Sequence, residues 1–308
     1  MQPVTRRRLL ASGVAAGLVT FSGTAAGKPK SSDGTLRLKV RDAVADAGLC
    51  HLPRDTAAAL GVTDGQQVRL HYDDAPVLFT VVVHDDKFGA VSPGGRDRLG
   101  ATKNSLHVDA DAQAVHPTMD AETAAETGEF VERYVDGDAT VIAVAPHGGY
   151  IEYGTDDQAA RVAATLDASA WYCSGWWPGG GAYRRWHVTS TRIEPDSFPA
   201  LGAIRDIGYD TAVSFHGWRE AHIGVGGTAS DALRKELRDE ISVAVDGAIE
   251  VRLATDSARN GTDPDNLVNW LTASGTDGVQ IEQPLTARTE YGTAIADAVG
   301  DVLARQVA

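Results

Sequence analysis

Residues 140–152 read Thr140-Val141-Ile142-Ala143-Val144-Ala145-Pro146-His147-Gly148-Gly149-Tyr150-Ile151-Glu152. The first six are small or branched and uncharged, the composition of a strand buried in a sheet. A proline stops that run, and a histidine, two glycines and a glutamate follow. Two later stretches have the same form. Ser214-Phe215-His216-Gly217 closes a strand that starts at Asp210, and Val279-Gln280-Ile281-Glu282-Gln283 closes one that starts at Gly278. Between them the pattern switches to helix. Thr155-Asp156-Asp157-Gln158 reads as a capping box for a helix to about Ala168. Ser197–Ile207 and Ser230–Val245 follow, Asp263 is expected to cap a helix with Pro264 in its first turn, and Ile295, Val299, Val302 and Leu303 mark one face of the last helix. Trp171–Trp177, Trp186–Ile193 and Ile249–Ala254 read as further strands. This alternation predicts an α/β fold, a central sheet packed by helices on both faces. In such sheets ligands bind at the carboxyl ends of the strands, where the histidines and glutamates stand.

Upstream the style differs. Residues 36–116 carry short alternating segments such as Val68-Arg69-Leu70-His71-Tyr72 and a buried-strand run, Val77–Val83. Pro53–Leu60 reads as one helix stopped by Gly61, with Asp64-Gly65 as a turn. The segment AALGVTDGQQVRL resembles the helix–turn–strand segment of small double-psi or swapped-hairpin barrels, so residues 36–116 are expected to form a small, mostly-β, barrel-like domain. His51, His71, His84 and His107 are scattered there without ligand spacing. Residues 117–308 then form the domain that carries the chemistry.

Residues 1–27 are of a third kind. Thr5-Arg6-Arg7-Arg8-Leu9-Leu10 precedes an apolar run to about Phe21 and an exit of small residues, Thr24-Ala25-Ala26-Gly27. That order is a signal peptide, and the adjacent arginines resemble the twin-arginine export signal. The expected location is therefore outside the cell or on its surface, with no stable membrane span once the signal is removed. Of 308 residues, 43% are hydrophobic, enough for a sizeable core, and the formal charge is -14. That charge excludes nucleic acid as a partner, because phosphate binding needs clustered Lys and Arg. The Asp-rich, Lys-poor composition suits a protein kept soluble in saline surroundings. Cys50 and Cys173 lie in different regions and lack CxxC spacing, so both are expected to be buried free thiols.

Two imidazoles and one carboxylate hold a catalytic zinc while leaving a fourth position for water, whose pKa the metal lowers to about 7. His147, Glu152 and His216 supply that set, and the glycines beside the histidines let the backbone turn so that the rings converge. Glu282, at its own strand end, is the candidate to take the water's proton and return it to the leaving amine. A lipase-type oxyanion loop also begins His-Gly-Gly, but it needs a Gly-x-Ser-x-Gly elbow. Ser174 stands instead in Tyr172-Cys173-Ser174-Gly175.

Taken together, PHGGYIE, WHVTSTRIEP, SFHG, GVQIEQP and the downstream Arg288 resemble the poly-γ-glutamate hydrolase family, over roughly Val141–Arg288. The resemblance implies a fold like that of zinc carboxypeptidases, with a mixed central sheet. It also implies one zinc ion on His147, Glu152 and His216, Glu282 as general base, and cleavage of γ-glutamyl amide bonds. An anionic polypeptide substrate needs cationic and polar recognition. Arg184, Arg185, His187, Asn266, Asn269 and Arg288 are the candidates, with Tyr183 and the two arginines as possible oxyanion donors. His222 is held out of the metal set. Two other readings stay open: a zinc amidase or carboxypeptidase acting on cell-wall or other peptides, and an exported binding protein of this fold without activity. A chain this acidic repels polyglutamate at low salt, and a saline medium screens that repulsion.

Overall fold

Alternation and turn chemistry build the first part of the chain as expected. Strands β1 (Thr35–Val40), β2 (Leu49–Pro53), β3 (Gln67–Tyr72), β4 (Ala75–His84), β5 (Gly89–Val91) and β6 (Ser105–Asp111) close into a barrel in the order β1-β5-β2-β4-β3-β6. This computed structural model describes residues 35–256 and 259–307; the signal read at residues 1–27 lies outside them. Helix α1 (Arg54–Leu60) ends at Gly61, whose φ of 71° is the left-handed cap a glycine accepts without strain. Helix α2 (Pro93–Arg98) starts on the Ser92 hydroxyl, which accepts the Gly95 N–H. Leu38, Cys50, Leu52, Val68, Leu70, Phe79 and Val91 fill the barrel interior.

The second part is a seven-stranded mixed sheet. Its strands are β7 (Phe130–Val135), β8 (Ala139–Gly149), β9 (Ala168–Gly175), β10 (Thr211–Gly217), β11 (Ile223–Gly227), β12 (Val251–Leu253) and β13 (Gly278–Gln283). They lie in the order β12-β11-β13-β10-β8-β9-β7, with the four central strands parallel. Helices α3 (Ala121–Thr127), α4 (Thr155–Leu166), α5 (Ala182–Trp186), α6 (Pro199–Ile204), α7 (Asp231–Ala244), α8 (Leu267–Trp270), α9 (Leu285–Glu290) and α10 (Gly292–Val307) complete this part. Strand β8 shows why helices cover both faces. Val141, Ala143 and Ala145 pack into one core with Val162, Leu237, Ile241, Ile295 and Val299. Ile142 and Val144, facing the other way, join Phe130, Trp171, Trp186, Phe198 and Leu267. From β8 the chain goes to β9 on one side and later to β10 on the other, so the carboxyl ends of β8 and β10 flank a topological switch point.

Three local expectations are corrected. Trp186–Ile193 is not a strand: it leaves the short α5 and continues into a 3-10 turn at Ser190–Arg192. Its apolar residues, Trp186, Val188 and Ile193, are buried by packing and not by strand alternation. Helix α4 is not opened by a capping box. Its cap is Gly154, Thr155 lies inside the first turn, and Asp156 spends its carboxylate on the Gly149 N–H and the Ser174 hydroxyl. Asp263 precedes a turn, and the helix after it starts at Asn266, which accepts the Val268 N–H. Cys50 and Cys173 are both buried and free, as expected.

The barrel and the sheet belong to one compact unit. Arg69 of β3, only 5% exposed, donates to Ala114 O and Phe130 O and pairs with Glu129 at 2.7 Å. Gln67 donates its main-chain N–H to the Ser197 hydroxyl, gives its amide to Arg192 O and accepts from the Glu194 N–H. Removing one partner from such a seam leaves the others desolvated and unpaired. Arg69→Met is therefore expected to lower the free energy of unfolding by about 2–3 kcal/mol, measured by urea denaturation. A loss below about 0.5 kcal/mol would show that water replaces the guanidinium there.

Candidate metal centre

His147 sits where β8 shifts its register against β9, between Ala145 and Gly148, an irregularity of the kind that re-aims a side chain beside an active site. The chain then turns at Gly149, whose φ is 65° and where a Cβ would meet Gly175 O at 2.7 Å, so no other residue fits. The turn is closed by the Glu152 N–H donating to His147 O at 2.7 Å. It brings the Glu152 carboxylate back over the strand end. His216 comes from the end of β10 on the other side of the switch point. The three side chains are 3%, 7% and 4% exposed.

Their ligand atoms converge. His147 Nδ1 lies 3.2 Å from Glu152 Oε2, His216 Nδ1 lies 3.4 Å from the same oxygen, and the two Nδ1 atoms are 3.2 Å apart. Metal–ligand bonds of 2.0–2.1 Å in a tetrahedron imply edges of about 3.3 Å, so this triangle fits a tetrahedral ion. The other ring nitrogen of His147 is 2.7 Å from Val188 O. A carbonyl only accepts, so Nε2 carries a hydrogen, and Nδ1 is the ring nitrogen that faces the centre. Oε2 of Glu152 also accepts the Gly217 N–H.

A fourth candidate ligand stands beside this triangle. His187 stacks at 4.2 Å on His147, its Nε2 is 3.9 Å from Glu152 Oε1, and the group His147, Glu152 and His187 can also hold a metal ion. Tyr183 lies on its far side at 4.3 Å. Burial, with His147 next, pushes His187 down to about 3, so its ring is neutral at ordinary pH. Burial alone would raise the Glu152 carboxyl, but the two imidazoles, His147 first, hold it well below the usual carboxylate range. Burial opposes the charge on His216 as well, and the bond to Glu152 outweighs it, raising the ring above its ordinary value.

Glu282 lies next to His216 across the β10–β13 pairing, in direct register. Burial pushes its carboxyl up, with His216 opposing. Gln280, two residues earlier on the same face of β13, donates to Glu282 Oε1 at 3.0 Å and accepts from Asn266 Nδ2 at 2.8 Å. Asn266 thus reaches Glu282 through Gln280. Asn269 is fully buried and spends both amide hydrogens on Gly261 O and Asp263 O. Arg288 donates to Tyr153 O and packs so closely on Gly217 that a Cβ there would meet its guanidinium at 2.6 Å. Its Nε is buried with no partner among the described residues, and both Glu152 and Glu282 lie within its electrostatic reach.

The remaining candidates divide. Arg184 is exposed, whereas Arg185 is buried, lies 3.7 Å over the Trp177 ring and donates to Pro76 O of the barrel. His222 packs on Trp218 and accepts its indole N–H through the main-chain carbonyl. Sequence reasoning missed Gln280 and Asp156. Period-two spacing from Glu282 marks the first, but Asp156 sits in a helix and carries no mark of the Gly149 N–H it binds.

The chain is similar to several known proteins. One curated relative is the SPbeta prophage-derived UPF0714 protein YoqZ of Bacillus subtilis (strain 168), 30% identical over 138 residues. That match covers 44% of this chain and 46% of the relative, so the chain spans about half the length of the curated relative it matches. Among solved structures, "Structure of Bacteriophage poly-gamma-glutamate hydrolase" is 29% identical, with 58% of this chain and 90% of that one covered at a TM-score of 0.47. "YNDL-apo (Zinc-free)" is 24% identical, with 57% and 88% covered at a TM-score of 0.42. The family model for poly-gamma-glutamate hydrolase matches residues 118–295, which takes in His147, Glu152, His187, His216, Glu282 and Arg288. With more than half of its length matched, the chain belongs to the poly-γ-glutamate hydrolase family.

Proposed function

We propose that this chain is a zinc-dependent hydrolase that cuts γ-glutamyl amide bonds of poly-γ-glutamate, with His147, Glu152 and His216 as the ligands of one ion. The observation that carries the reading is the triangle of Nδ1, Nδ1 and Oε2 atoms, with edges of 3.2–3.4 Å, and Glu282 in register beside it. The alternative third ligand, His187, is 3.9 Å from the carboxylate, longer than a tetrahedral edge. Bound there, the ion supplies Lewis acidity, which brings the pKa of water to about 7 and polarises a carbonyl.

The chain's own residues do the rest. Glu282 accepts the proton of the attacking water and delivers it to the leaving amine nitrogen, held in line by Gln280 and Asn266. Arg288, with its unpartnered Nε, faces the negative charge that develops on the carbonyl oxygen or a carboxylate of the substrate. His187, neutral and flanked by His147 and Tyr183, offers a hydrogen bond to the bound amide. Export by the arginine-led segment at residues 5–27 belongs to the same proposal and is supported by its composition. No helix among the described residues is long and apolar enough to cross a membrane.

The test compares defined γ-linked and α-linked glutamate oligomers, with product analysis, before and after a chelator. Cleavage of the γ-linked series alone, abolished by chelation and restored by zinc, is the expected result. Equal cleavage of both series, or cleavage of cell-wall peptides alone, would replace this substrate with the wider amidase reading. Tight binding without cleavage in the presence of zinc would favour a binding protein.

A further inference from the structure

A cavity of about 390 Å³ lies on the seam between barrel and sheet, apart from the metal triangle but sharing one wall with it. That wall is His187, with Tyr183 beside it; the opposite wall comes from the barrel and includes Asp46 and Arg98. Arg184 and Arg192 also line it, so three arginines and one aspartate border the cavity in a chain whose formal charge is -14. The volume falls in the lower range of ligand pockets.

The three arginines are engaged differently. Arg192 pairs with Asp46 through Nη1 at 2.9 Å. Arg184 is exposed and has no ion-pair or hydrogen-bond partner for its guanidinium among the described residues. Arg98 lies over the Phe79 ring, and among the described residues its hydrogen bonds all go to carbonyls: Nε to Arg184 O at 2.7 Å, Nη1 to Ala47 O, and Nη2 to Arg185 O and His187 O. Carbonyl oxygens satisfy its donors without neutralising it; burial pushes Arg98 down to about 10, with the Asp46 carboxylate, already paired with Arg192, opposing. A cation held this way favours an anion in the cavity beside it, since a partly buried charge is little screened.

We propose that this cavity is a carboxylate-binding subsite, built jointly by the barrel and the sheet, which takes a carboxylate of an anionic peptide lying across the metal centre. The proposal rests on the hydrolase reading for its substrate class, and the barrel then has a definite task. Arg98 fixes the main chain of residues 184–187 and supplies positive charge. Arg192 and Arg184 carry the free donors that reach the carboxylate, and Asp46 competes with it for Arg192.

Calorimetric titration of full-length, zinc-loaded Glu282→Gln protein with a γ-linked glutamate tetramer, at one fixed ionic strength, tests this. Adding Arg192→Gln is expected to weaken Kd about tenfold, the loss of a charge-assisted hydrogen-bonded pair. Adding Asp46→Asn is expected to tighten Kd severalfold, because Asn keeps the acceptor for the Gly48 N–H while freeing Arg192. A merely structural Asp46–Arg192 pair would give no such gain. Arg161→Gln removes the same charge at an exposed pair with Asp297 and is expected to stay within twofold. Kd values within twofold of the parent for both cavity variants overturn the subsite. If binding responds as stated but the wild type cuts no γ-glutamyl bond, the subsite stands and the hydrolase reading falls. If the wild type cuts the bond and binding ignores the cavity, only the subsite falls.

Discussion

Glu282→Gln is expected to lower kcat by about two to four orders of magnitude, the range a positioned general acid–base contributes, with zinc content unchanged. The amide keeps the size of the side chain but cannot take a proton from water, so binding and metal loading survive while chemistry does not. Gln280 sharpens the test. Its Nε2 donates to Glu282 Oε1, and its Oε1 is bound to Asn266 Nδ2. Gln280→Ala removes the brace without removing the carboxylate, so it should cost less than the Glu282 change. A Glu282→Gln enzyme within threefold of wild-type kcat would assign the proton transfer to another group.

The second large effect concerns the metal. His216→Ala is expected to lower zinc affinity by more than the 10–100-fold that loss of an outer hydrogen-bond partner typically costs, read by competition with a chromogenic chelator. His187→Ala is expected to keep near-stoichiometric zinc and lose mainly in KM. The distances separate the two: both edges from His216 Nδ1 are 3.2–3.4 Å, whereas His187 Nε2 is 3.9 Å from the shared carboxylate. The opposite outcome, with zinc lost in His187→Ala and kept in His216→Ala, makes His147, Glu152 and His187 the ligand set. Thermal unfolding with and without added zinc gives an independent readout, because an ion that binds only the native state raises Tm with its concentration.

The parts of this site legible in the sequence share one property: each is announced by its own neighbours. A run of small, branched residues before His147, Ser214-Phe215 before His216 and Val279-Gln280-Ile281 before Glu282 declare strand ends, and the strand-end rule brings them together. Arg98 illustrates what was not legible. It lies in a short helix of the barrel, and its partners are carbonyls 51 to 89 residues away. A carbonyl has no sequence signature, so nothing in a linear pattern marks that seam. Trp186–Ile193 was misread for a related reason. Aromatic and branched residues signal burial, and here they are buried around Phe130 and Phe198 while the main chain turns. At Thr155 the local signal for a cap was sound, but Gly154, at a φ of 85°, took that place.

The register that sets His216 beside Glu282 has a consequence for how such an enzyme can change. In their proposed roles of ligand and base, His216 and Glu282 stand side by side in one hydrogen-bonded ladder and keep their spacing as long as those two strands stay paired. The wall at residues 183–192 has no such ladder and is held by contacts from the barrel. Ladder and wall meet at one bond, the Val188 carbonyl on the His147 ring. Under the proposed function, drift in the barrel surface acts first on this wall, and so on recognition, before it reaches the strand ends that carry His216 and Glu282.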